Sequence, residues 1–183
     1  VTSRQIQQKT RRVAFLGLLF ALAILLSFIE GLVPPLPMMP PGVKLGLANI
    51  VTMYCLVLLD FRAALTVTAL KGLFAFLTRG AVAAAMSLGG SVLSLLVMAL
   101  VWRLTKKRCS MLTMGLTGGF FHNMGQLCVS VLILKTTAAF YYLPVLAVAG
   151  LVMGFITGVT LQVLMPHIGR LQQDLGPPAG RRR

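Results

Sequence analysis

Apolar runs of about 20 residues, the length an α-helix needs to cross a bilayer, follow one another along most of the chain. Basic residues gather at their ends. The run VAFLGLLFALAILLSFIEGLV (13–33) holds no charge before Glu30. Only 11% of the 183 residues are charged, against about a quarter in soluble domains, and the mean hydropathy is +0.90. The pattern predicts an all-α, polytopic membrane protein. The first apolar stretch lacks a small-residue cleavage site and further spans follow it, so it reads as a span and not as a cleaved leader.

Six helices are expected, at roughly 12–33, 44–60, 62–78, 82–104, 111–134 and 140–165. Connections around Asp60–Phe61–Arg62 and Arg79–Gly80 are short, so neighbouring helices should run antiparallel. Cytoplasmic segments carry an excess of Lys and Arg. With the N-terminus inside, Arg4, Lys9, Arg11, Arg12, Arg62, Arg103, Lys106, Lys107, Arg108, Arg170 and Arg181 to Arg183 are all cytoplasmic, thirteen of the 17 basic residues. Five or seven spans would put a basic cluster on the wrong side. The expected organisation is a basic cytoplasmic N-terminus (1–11), a six-helix transmembrane domain (12–165) and a basic, disordered cytoplasmic tail (166–183), in the plasma membrane. Charge gathered at segment ends without interleaved aromatics speaks for membrane orientation and against a nucleic-acid surface.

Between helices one and two, GLVPPLPMMPPGVKLGLANI (31–50) places Pro34, Pro35, Pro37, Pro40 and Pro41 in eight positions. Proline locks φ and removes a donor, so no helix passes through. Non-helical backbone at membrane depth is tolerated against protein or a cavity, which makes this stretch an outer loop folded over the bundle. Small residues repeat at helix-packing spacing: Gly150, Gly154 and Gly158; Gly115 and Gly119; Ala85 and Gly89; Gly17 and Ala21. Such ribbons let backbones approach within a bundle, or form a docking face for another subunit.

Polar side chains inside a span usually face the interior or a cavity. His122, Asn123 and Gln126 lie near one face of helix five. Lys71 sits midway along helix three, three residues after Thr68, and calls for an anionic ligand, a carbonyl or Glu30 as partner. Glu30, Lys44, Asn49, Arg79, Tyr141 and Tyr142 fall at the outer ends, the tyrosines as interfacial anchors. Lys44 and Asn49 open helix two, where a helix N-terminus beside a lysine favours an anion. Together these residues predict an outward-facing cavity for a small anionic or polar-headed solute.

No phosphate-binding GxxxxGK[ST] loop occurs. The only acids, Glu30, Asp60 and Asp174, are far apart, so the clustered aspartates that hold Mg²⁺ for prenyl transfer have no counterpart. Cys55, Cys109 and Cys128 form no CxxC or Cys/His cluster, which points to packing residues and to no metal or disulfide. Catalysis by this chain and a bound cofactor are not expected.

PGVKLGLANIVTMY (41–54), SLGGSVLSLLVMAL (87–100) and GGFFHNMGQLCVSVLIL (118–134), with IEGLVPPLP (29–37) and YYLPVLAVAGLVMGFITG (141–158), resemble the bacterial heptaprenyl diphosphate synthase component I family, also named the Gx transporter family. The resemblance covers about residues 12–165. It implies a fold akin to the substrate-binding S components of energy-coupling factor (ECF) transporters, six-helix proteins that bind a vitamin-like solute under the loop after helix one. Those proteins dock on a transmembrane coupling subunit with two ATPases. By motif, Lys44, Asn49, His122, Asn123 and Gln126 are the characteristic polar positions. Lys71 stands where relatives often carry arginine, and Gly17 with Ala21 is the nearest match to the docking motif of helix one. The resulting expectation is a solute-binding uptake subunit. The alternatives are a non-catalytic membrane partner in polyprenyl diphosphate or quinone synthesis, and a stand-alone secondary transporter with Glu30 as its coupling carboxylate.

Overall fold

The computed structural model of the chain describes residues 3–32 and 46–174. Lys44 and the proline-rich loop, Pro34 to Pro41, lie outside the described residues. Every described element is helical: α1 (Ser3–Leu32), α2 (Asn49–Tyr54) running into a π-helical turn (Cys55–Leu59), α3 (Phe61–Leu104), α4 (Met111–Leu134), a 3₁₀ segment (Thr137–Tyr142) and α5 (Leu143–Asp174). Three stretches are long and apolar enough to cross a membrane: Arg12–Leu32, Phe61–Leu104 and Thr137–Pro166. Asn49–Leu59 is apolar but shorter.

The sequence divides 62–78 from 82–104, whereas the helical assignment runs unbroken through 44 residues. A straight helix of that length would extend about 66 Å, well beyond a bilayer of about 45 Å with its headgroups. Gly80, at φ 84° and ψ 177°, breaks the ladder, in a region of backbone space open essentially to glycine alone. A Cβ on Gly72 would fall 2.2 Å from Leu88 Cδ2, although those two residues would stand about 24 Å apart on a straight helix. The chain therefore doubles back at Gly80, and α3 consists of two arms packed against each other.

Two contacts orient α1. Near its start Arg12 pairs with Asp60, and near its end the Glu30 carboxylate accepts from the Gly46 N–H. α1 thus runs antiparallel to α2 and its π turn. Asp60 is extended, at φ −160°, and its Oδ1 accepts from Ala63 N at 2.7 Å, which caps the first arm of α3. The second arm ends at Leu104 and is followed by a turn in which Lys106 and Lys107 are both at positive φ, and Ser110 Oγ caps α4 by accepting from Thr113 N.

α4 and α5 meet through glycines. A Cβ on Gly119 would lie 2.2 Å from Gly150 O, and one on Gly115 2.3 Å from Gly154 O. These ribbons are thus consumed inside the bundle, where dispersion between closely approaching backbones replaces a hydrophobic drive. Gly17 differs: nothing lies within 4 Å of its Cβ position. α1 is the least covered long helix, with 17% of its apolar window buried against 39% for α3 and 33% for α5.

Two element ends depart from expectation. α1 begins at Ser3, ahead of the boundary at 12. α5 begins at Leu143 behind the 3₁₀ segment and continues through Pro166 to Asp174, so part of the expected tail is helical. The larger apolar cluster (Leu19, Ala23, Val51, Met53, Leu95, Met98, Met114, Leu161 and neighbours) packs towards the Asp60 end, with Cys55 in it. A smaller cluster of Met86, Leu127, Ala139 and Leu146 packs towards the Gly80 end. Along α3 and α4 the buried polar residues, Ser130 apart, fall between these two clusters.

Candidate functional site

Lys71 belongs to the buried stripe Val67–Lys71–Ala75 of the first α3 arm, and only 5% of it is exposed. Its Nζ donates to Ala48 O and Thr52 Oγ1, each at 3.3 Å. Both acceptors lie at the start of α2, so the ammonium bridges that arm to α2. The Glu30 carboxylate is near enough to act electrostatically on both Lys71 and Arg79.

Glu30 arrives from the end of α1, and its hydrogen bond to Gly46 N–H draws the start of the α2 segment against it. Gly46 has φ +94°, and a Cβ there would sit 2.9 Å from His122 Cδ2. The imidazole of α4 packs directly on this turn, so only glycine satisfies both the backbone angle and the space.

Asn49 supplies the next wall. Its Nδ2 donates to Ser94 Oγ at 2.8 Å, and Ser94 Oγ donates to Gly118 O at 2.8 Å. The chain Asn49–Ser94–Gly118 ties α2, the second α3 arm and α4 together. Among the described residues Asn49 Oδ1, Ser91 Oγ and His122 Nδ1, all on residues that line the space between these helices, are buried without a hydrogen-bond partner.

These groups enclose a small polar cavity of about 20 Å³, lined by Ser27, Glu30, Gly46, Ala48, Asn49, Lys71, Arg79, Ser87, Ser91 and His122. That volume holds about one water molecule. Of the residues expected to form the site, Glu30, Asn49, Lys71, Arg79 and His122 converge there. Asn123 and Gln126 do not line it. Asn123 Nδ2 donates to Leu146 O at 2.9 Å, and Gln126 Nε2 donates to Asn123 Oδ1 at 3.5 Å. One residue along a helix turns the side chain by about 100°, so His122 faces the cavity while Asn123 clamps α4 to α5. Tyr141 and Tyr142, in the 3₁₀ segment, are exposed.

Sequence reasoning missed the serines. Ser87, Ser91 and Ser94 recur at spacings of four and three within SLGGSVLS (87–94), which puts them on one face of an apolar helix. Ser27 precedes Glu30 by three residues in the same way. That periodicity was the available signal.

At the opposite end, the Asp60 carboxyl is pushed up by partial burial. The Ala63 N–H and the Arg12 guanidinium outweigh this and hold it below the usual carboxylate range. Among the described residues no group of three or more His, Cys, Asp or Glu side chains is placed to hold a metal ion.

A family model described as heptaprenyl diphosphate synthase component I matches residues 19–164, well over half of the chain. No curated protein and no solved structure matches.

Proposed function

The chain belongs to the heptaprenyl diphosphate synthase component I family, and from that premise we propose that it is a membrane-embedded solute-binding subunit for uptake. It captures a small anionic or polar-headed solute from outside. Six crossings, with the α3 arms counted separately, leave both termini cytoplasmic and the Gly80 end facing outward. In the manner of an ECF S component, the chain works with a transmembrane coupling subunit and ATPases on other chains, and carries out no catalysis of its own. His122 and Asn49 complete the binding wall.

The observation that carries this reading is the convergence of Lys71, Arg79 and Glu30 in one cavity between α1, α2, α3 and α4. Ionisable groups at membrane depth are costly and concentrate along substrate paths. With room for about one water, the cavity is too small for such a solute, and loading requires its walls to part. A ligand anion then competes with Glu30 for Lys71, Arg79 and the Gly46 N–H. Release follows when Glu30 recovers them.

Identification by mass spectrometry of a ligand retained through purification tests the reading, with Lys71→Met and Arg79→Met as controls. Co-purification of ATPases and a coupling protein supports it; equal ligand occupancy in both variants overturns it.

A second reading is favoured by the family description itself: a non-catalytic membrane partner of a prenyl diphosphate synthase. Recovery of a soluble prenyl synthase, or of a long-chain isoprenoid as the retained ligand, decides for it.

A further inference from the structure

We propose that the ligand of the Lys71–Arg79 cavity is an oxyanion carrying its own hydrogen-bond donor, a protonated phosphoryl group or a hydroxy-carboxylate, and that Asn49 and Ser94 select it. The proposal rests on the solute-binding reading and narrows its substrate class.

A carboxamide has one donating and one accepting end, and burial makes the choice between them consequential. Ser94 Oγ spends its only proton on Gly118 O, so towards Asn49 it can only accept. Asn49 must therefore turn Nδ2 to Ser94, and Oδ1 becomes the end left over. Oδ1 is consequently a buried acceptor with no donor, on a residue that lines the cavity.

Lys71 and Arg79 attract negative charge into the same space. Sulfate or acetate would satisfy the cations yet bring no proton to Oδ1, leaving two electronegative atoms facing each other. Hydrogen phosphate or glycolate satisfies both demands. Ser91 Oγ, also buried and without a partner, donates to the oxyanion. A site built around an unpaired polar group rejects analogues that lack the matching group far more strongly than an apolar pocket does. Leaving a buried acceptor unmade corresponds to about tenfold or more in affinity. Ser94 does not line the cavity and acts as a positioning residue.

The full chain, in lipid nanodiscs at pH 7 and constant ionic strength, is titrated with matched pairs: inorganic phosphate against sulfate, and glycolate against acetate. Thermal stability is the readout. At least one donor-bearing anion should stabilise at about tenfold lower concentration than its partner, and the pair that separates identifies phosphoryl or hydroxy-carboxylate chemistry. Ser94→Ala should shrink that ratio while sulfate or acetate binding persists, because the freed carboxamide can flip to present Nδ2.

Equal stabilisation within both pairs, abolished by Lys71→Met, overturns the donor requirement and leaves the solute-binding reading standing. An undiminished ratio in Ser94→Ala overturns the role of Ser94. Anion effects that are absent, or indifferent to Lys71→Met, overturn the solute-binding reading itself.

Discussion

The Glu30 carboxylate and the Gly46 N–H, sixteen residues apart, are joined by a hydrogen bond that holds the end of α1 against the start of α2. Glu30 also acts electrostatically on Lys71 and Arg79. Glu30→Gln keeps an oxygen acceptor for Gly46 but removes the charge. The expected outcome is a stability loss of about 1–3 kcal/mol, accompanied by tighter binding of inorganic phosphate because the internal competitor is gone. Thermal unfolding with and without phosphate checks both signs, and weaker phosphate binding would rule out the competition.

Glycines in open and closed surroundings should respond oppositely to alanine. Gly17→Ala adds a methyl group where nothing lies within 4 Å and should be neutral or stabilising by about 0.5–1 kcal/mol, the helix-propensity gain. Gly119→Ala places Cβ 2.2 Å from the backbone oxygen of Gly150, which must force α4 and α5 apart at a cost of about 1–3 kcal/mol. Melting of the two variants side by side measures the contrast.

Gly80→Ala has ample room, since nothing lies within 4 Å of the added Cβ, yet the residue sits at φ +84°. The cost is conformational, about 1–3 kcal/mol. A Gly80→Ala chain as stable as the wild type would mean that the reversal between the α3 arms tolerates another backbone geometry.

Asp60 should give the chain an acid-sensitive contact. Its folded carboxyl lies below the ordinary range. Its stabilising contribution is therefore fully present above the unfolded value of about 3.9 and is lost as pH falls through the lower folded value. The pair with Arg12 is half exposed, so less than about 1 kcal/mol is at stake. Unfolding followed from pH 7 to pH 3 should show a shallower decline below about pH 4 in Asp60→Asn than in the wild type.

Asn123→Leu separates clamp from cavity. Loss of the bond to Leu146 O should lower stability by about 1–2 kcal/mol. Phosphate binding should fall far less than in Lys71→Met, because Asn123 does not line the cavity. Equal loss in the two variants would move Asn123 into the site.

Much of this protein is legible in its residues taken one after another. Apolar length determines helices suited to a membrane, because backbone groups in hydrocarbon must be satisfied within the segment. The cost of placing Lys71, His122 or Asn49 among apolar neighbours marks them as residues that face the interior, and five of the eight expected site residues line one cavity. Tertiary structure decided the rest. The backbone angle at Gly80 and the close approach of Gly72 to Leu88 are packing relations that hydropathy does not encode. His122 and Asn123 are adjacent and both polar, but the placement of α3 and α5 around α4 sends one to the cavity and the other to Leu146. Which end of the Asn49 carboxamide remains unpaired depends on Ser94 and Gly118, 45 and 24 residues away in successive steps. Helix periodicity states which residues share a face; only packing in three dimensions states what that face meets.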